Sequence, residues 1–167
     1  MIDVDPCAPG AGVVFYGARR LLLVLHAGGA IVLIGAATHH ALQMRHYLRG
    51  QFGRVKLEKT YAKVVSVAYV LTFLLGAMLY PTYRVHVRGF YLDQSAPAFA
   101  GLFDIKEMYA SLALTVAVGL GALALTLRPA ESPVLARVYA FMSLIVCAVV
   151  WLDVIAGLLV VSVRGVG

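Results

Sequence analysis

Two ionisable side chains, His26 and Asp153, stand inside long apolar runs of this 167-residue chain. A titratable group in a bilayer is costly to desolvate, so it faces a bundle interior, a ligand or a proton path. An imidazole beside a carboxylate can pass a proton, and either can orient or ligate a bound group. The plainer alternative is a core histidine hydrogen-bonded to Asp153 or to a carbonyl. Two further histidines, His39 and His40, follow in the same run, and His40 lies 14 residues after His26. That is close to four helical turns, so the two share a face roughly 21 Å apart. Such a spacing suits two stacked b-type haems, whose irons take axial imidazoles. The remaining candidates are His46, in a basic segment, and His86, beyond Pro81. One chain therefore has too few histidines for two haems. It can offer one, held by His26 with His86, with a tyrosine such as Tyr80, or with a methionine, and a dimer can supply missing ligands. His39, His40 and His46 also read as residues at head-group depth.

The elements that must position these groups are legible from composition. Hydrophobic residues make up 62% of the chain and charged residues 13%, with a mean hydropathy of +0.88. Soluble chains carry about 25% charge, so this composition belongs to an integral membrane protein. Apolar runs at about residues 21–42, 61–80, 109–127 and 138–161 each approach the ~20 residues that a ~30 Å hydrocarbon layer requires. Lipid cannot satisfy an open sheet edge, and the runs lack the alternation of a membrane barrel. The fold class is all-α: one membrane domain over residues 1–167, folded as a four-helix bundle.

Basic residues set the topology. Arg45, Arg49, Arg54, Lys56, Lys59 and Lys63 crowd the first connection, with Arg128 and Arg137 on the same side. Arg19, Arg20, Arg84, Arg88, Lys106 and Arg164 lie on the other. The positive-inside rule places the first group in the cytoplasm and both termini on the outer, periplasmic side of a bacterial inner (plasma) membrane. The net charge of +6 therefore points to the lipid bilayer and not to nucleic acid. Asp3 and Asp5 replace the basic start of a cleavable signal. Cys7 and Cys147 fall at different depths, which argues against a disulfide. The connection 81–108 is rich in interfacial aromatics, and the reading is an outer loop along the membrane, with Asp104 capping the third helix and Glu107 three residues on.

Helical spacing puts Tyr139, Ser143, Val146, Val150, Asp153 and Gly157 on one stripe and Tyr69, Thr72, Gly76, Tyr80 and Tyr83 on another. Measured from the span centres, His26 lies ~8 Å and Asp153 ~5 Å outward of the midplane, close enough to meet. Tyr80, Tyr83 and Glu107 then line the outer mouth. The glycines and alanines of the third run mark a packing helix. There is no Met-rich or Cys-His cluster for copper, no zinc motif and no phosphate-cradling loop.

The run Leu25-His26-Ala27-Gly28-Gly29-Ala30-Ile31-Val32-Leu33-Ile34-Gly35, a basic loop, and Thr72-Phe73-Leu74-Leu75-Gly76 together resemble the small four-helix membrane proteins of the CopD-like and HemJ-like type. The likeness covers about the first 80 residues. It implies a haem-ligand role for His26. The expected function is a small haem b-binding electron-transfer or quinone-interacting membrane protein, possible subunit of a respiratory complex or homodimer, with Asp153 and Glu107 relaying protons or orienting the ligand. The alternatives are a cofactor-free structural subunit among other membrane subunits and a proton-coupled transporter using His26 and Asp153.

Overall fold

The computed structural model describes residues 12–164; residues 1–11 and 165–167, with Asp3, Asp5 and Cys7, lie outside the described residues. Four helices dominate, α1 (Arg19–Leu48), α2 (Val55–Thr82), α3 (Pro97–Thr126) and α4 (Pro133–Val163), and a single turn at Tyr16–Ala18 precedes them. All four are long and apolar enough to cross a membrane. Such runs become helices because only internal hydrogen bonds can satisfy the backbone in lipid. Their ends carry local signals. Pro97 and Pro133 open α3 and α4 at positions whose N–H would lack a helical partner. Gly50, with φ of 72°, follows the end of α1 in the left-handed conformation that releases the chain toward α2.

The helices alternate in direction and form a ring in which each packs on its sequence neighbours and α1 closes on α4. One end of the ring, here the basic end, holds the connection from Arg45 to Lys63; the other, the terminal end, holds the start of α1 and the end of α4. The expected inward stripes are the inward ones. On α4, Tyr139, Ser143, Val146 and Val150 are all buried, on α2 so are Tyr69 and Thr72, and so is Tyr83 just beyond its end.

The segment 81–108 departs from the expected loop: it is almost wholly helical. α2 runs through Pro81 and continues as a π-helical stretch, Tyr83–Leu92, then a turn at Asp93–Ser95. Pro81 cannot donate to the carbonyl of Ala77, and the wider register begins two residues later. α3 starts at Pro97, preceded by Ala96, so Asp104 is no cap; it sits inside the helix and accepts Arg88 Nη1 and Nη2 at 2.5 and 3.0 Å. Tyr83 stacks on Phe103 at 3.8 Å between ring centres, which ties the extension back to α3.

Close approach of α2 and α3 rests on small residues. Ala113, Ala117, Leu120 and Ala124 face the core, and the Ser66 hydroxyl lies 2.6 Å from the Ala117 carbonyl. A Cβ added at Gly121 would stand 2.5 Å from Ser66 Oγ and 2.8 Å from its Cβ. Gly121→Ala should therefore destabilise the bundle by about 1–3 kcal/mol in a thermal or denaturant titration, as overpacking does. Adding Ser66→Gly should recover much of the loss. Equal stability of wild type and Gly121→Ala would show that the helices do not meet there.

Candidate functional site

Two polar centres occupy the bundle, one toward each end. At the basic end, α1 contributes His40 and Tyr47, α2 contributes Glu58, and α4 contributes Tyr139 and Ser143; none is more than 4% exposed. Tyr47 donates to Glu58 Oε2 at 2.8 Å, and Tyr139 donates to Glu58 Oε1. His40 Nε2 lies 2.9 Å from Glu58 Oε1, and Ser143 Oγ lies 2.7 Å from His40 Nδ1. A carboxylate only accepts, so the network is satisfied when Nε2 carries the histidine proton and Ser143 donates to Nδ1. Both imidazole nitrogens are then committed. His40 has no lone pair to offer an iron, and a haem does not fit there.

Glu58 escaped the sequence reading because it lies among six cations of a segment read as head-group contact. A signal was present. Glu58, Ala62, Val65, Tyr69 and Thr72 recur at helical spacing, all buried, and Glu58 is the one acid in the stretch 45–63.

At the terminal end, His26 places Nδ1 2.9 Å from the Thr72 carbonyl. Its ring sits in a notch at Gly76, where a Cβ would come within 3.1 Å of His26 Cε1. Bonding to a carbonyl puts the proton on Nδ1 and leaves Nε2 as the acceptor. Asp153 is half-buried, with Oδ1 shielded from solvent and without a hydrogen-bond partner. Lys106 of α3 lays its stem over Gly157, one turn from Asp153, where a Cβ would be 3.6 Å from Lys106 Cε. Its ammonium lies 5.4 Å from the centre of the Phe103 ring. The Tyr69 hydroxyl donates to the Ala110 carbonyl at 3.0 Å. Among the described residues no hydrogen bond or ion pair joins His26 to Asp153 directly. Lys106, a topology residue by sequence, is the cation whose side chain passes one turn from Asp153.

The other sequence candidates lie apart. His86 packs against Tyr16 at 4.9 Å, about 15 Å beyond His26 by helical rise, so one chain does not bring the two together. Tyr80 accepts a hydrogen bond from Arg84 at 3.2 Å and stacks at 6.5 Å on Phe103. Glu107 is half-buried near Lys106 and Arg88. His39 is exposed on α1 and stacks on Tyr61 at 4.5 Å; His46 is exposed beside Gln51. No set of three His, Cys, Asp or Glu side chains among the described residues could hold a metal ion. The two centres are separated by about 15 Å along α4, from Ser143 to Asp153. Val146, Val150, Leu33, Ala37, Ala113 and Ala117 are buried in the core of the same bundle.

No family model matches the chain, and neither a curated protein nor a solved structure matches it.

Removing the carboxylate should test the basic-end network. Glu58→Ala strands three donors and should cost about 3–5 kcal/mol of stability. Tyr47→Phe and Tyr139→Phe should each cost about 1–3 kcal/mol. In a double-mutant cycle, the effects of Glu58→Ala and Tyr139→Phe should fall well short of additive, and strict additivity in denaturant titrations would rule the network out.

Proposed function

We propose that this chain is a proton-coupled membrane transport protein whose terminal-end site, His26, Lys106 and Asp153, binds and releases a proton. One observation carries the reading: Asp153 keeps a shielded carboxylate oxygen with no partner on α4, one turn from Gly157, over which the Lys106 side chain of α3 passes, while His26 of α1 keeps Nε2 free. Asp153 takes the proton on Oδ1. When it gives the proton up, Lys106 balances the carboxylate, and His26 Nε2 is a second acceptor. With the basic end in the cytoplasm, as the positive-inside rule requires, the site exchanges protons with the periplasmic side. The apolar layer between the two centres holds it off from the other. Passage across the layer needs a second conformation, and a chain of four spans reaches a full pathway as an oligomer or beside other membrane subunits.

A second reading rests on the free Nε2 of His26. Nδ1 bonded to a carbonyl is the orientation of a ligating histidine, and the resemblance of Leu25–Gly35 to HemJ-like proteins points the same way. His26 fits one axial position of a b-type haem in an electron-transfer protein, or a hydrogen bond to a quinone. When bound, the haem would supply one-electron chemistry. The second ligand would come from another chain.

Infrared difference spectra between two pH values should contain a protonated-carboxyl band that Asp153→Asn removes and Lys106→Gln shifts. Proton flux in liposomes should fall at least about tenfold in Asp153→Asn, the equivalent of losing roughly 1.4 kcal/mol at the limiting step. Undiminished flux together with an unchanged infrared band would reject the proton site. For the second reading, a reduced-minus-oxidised spectrum should show a Soret band that His26→Ala abolishes; no band, or one that survives the substitution, removes it.

A further inference from the structure

The basic end carries a groove between its two connections, and its chemistry is distinct from that of the proton site. Phe52, Val55, Leu127 and Pro129 line it, with Lys59, Arg128 and the carboxylate of Glu131 among its walls. The apolar part continues into the core: Leu127 is 3% exposed, and Phe52 packs edge-on against Tyr47 at 5.2 Å. The cations are available. Glu58, the one acid near Lys59 in sequence, turns into the bundle and is held there by His40 and two tyrosines. Arg128 meets Glu131 at 3.3 Å, but both side chains are well exposed, at 76% and 65%, and such a pair yields readily to a stronger anion. The basic end also carries Arg45, Arg49, Arg54, Lys56, Lys63 and Arg137 outside the groove lining, and among the described residues none of them forms an ion pair.

We propose that this groove binds the phosphate head group of an anionic phospholipid. Lys59 and Arg128 take the phosphate oxygens, for which the guanidinium offers a two-pronged match. The apolar wall from Phe52 to Leu127 takes the glycerol and the first methylenes of the acyl chains, at the depth where helix ends meet the head-group layer. The cations of the basic end favour an anionic head group over a zwitterionic one, because each basic residue near the surface adds attraction to net negative charge. The site commits to a lipid because its polar and apolar walls lie side by side, as a free anion does not require.

The full chain, purified in a neutral detergent, is equilibrated with phosphatidylglycerol or phosphatidylcholine, and retained lipid is counted by native mass spectrometry across a dilution series. Phosphatidylglycerol should be retained to the higher dilution. Lys59→Gln and Arg128→Gln should each weaken its retention about fivefold, and Lys59→Arg should restore it. Arg45→Gln, the same change of charge on an exposed residue outside the groove, should weaken retention much less. Equal losses in all three glutamine variants would mean a diffuse basic collar and would overturn the assignment. So would equal retention of the two lipids. Displacement of phosphatidylglycerol by millimolar inorganic phosphate, with no loss on shortening the lipid's acyl chains, would assign the groove to a free anion instead. The three side chains are partly or fully exposed, and helical melts without lipid establish that the variants fold.

Discussion

A carboxyl group closed off between helices must find donors within the protein, and Glu58 finds three. That requirement organises the bundle. His40 and Tyr47 lie two turns apart on α1, Tyr139 lies on α4, and Glu58 in the first turn of α2, so a single side chain fixes the rotation and the axial position of three helices at once. A slip of one residue in any of them would leave a buried charge without partners, a penalty of several kcal/mol. With the basic end set in this way, the faces that the same helices present ~15–20 Å away are set too. His26 falls against α2, and Asp153 faces inward on α4.

The two polar centres differ in a way that separates architecture from chemistry. At the basic end both oxygens of Glu58 and both nitrogens of His40 have partners, which rigidifies and specifies but leaves neither group free to react. At the terminal end the pairing is incomplete: Asp153 Oδ1 is shielded and lacks a donor, and Lys106 is near without forming an ion pair. Incomplete satisfaction at membrane depth costs stability, and it is retained where a proton or ligand is handled. The two histidines that share a face of α1 thus do different things. His40 is consumed by the network, and His26 keeps one nitrogen open.

The terminal end is also where the chain departs from regular helix. The π-helical stretch after Pro81 lengthens α2 past the expected span, and the contact of Arg88 with Asp104 docks it on α3, while Asp93 holds Arg88 from the turn that follows the stretch. Aromatic stacking of Tyr83 on Phe103 places apolar surface over Lys106, whose ammonium lies 5.4 Å from the Phe103 ring. The residues that hold the extension therefore also shape the entrance to the site.

Class, helix number and inward faces were legible in the sequence because they follow from composition and a 3.6-residue period, which lipid enforces on every apolar run of spanning length. The stripe from Tyr139 to Gly157 is an example. So is the embedded placement of His26 and Asp153, since any ionisable residue within a span stands out. What the period does not encode is how far apart in space two faces lie, or which polar atoms across helices come within 3 Å of each other. Only the packed ring decided that His40 belongs to Glu58, that His26 bonds the Thr72 carbonyl, and that the 81–108 segment stays helical. In each case the deciding term is the pairing of a polar group with a partner distant in sequence, 18 residues for His40 and Glu58 and 103 for His40 and Ser143. Such partners are chosen by tertiary contact and by the cost of leaving a buried polar atom alone.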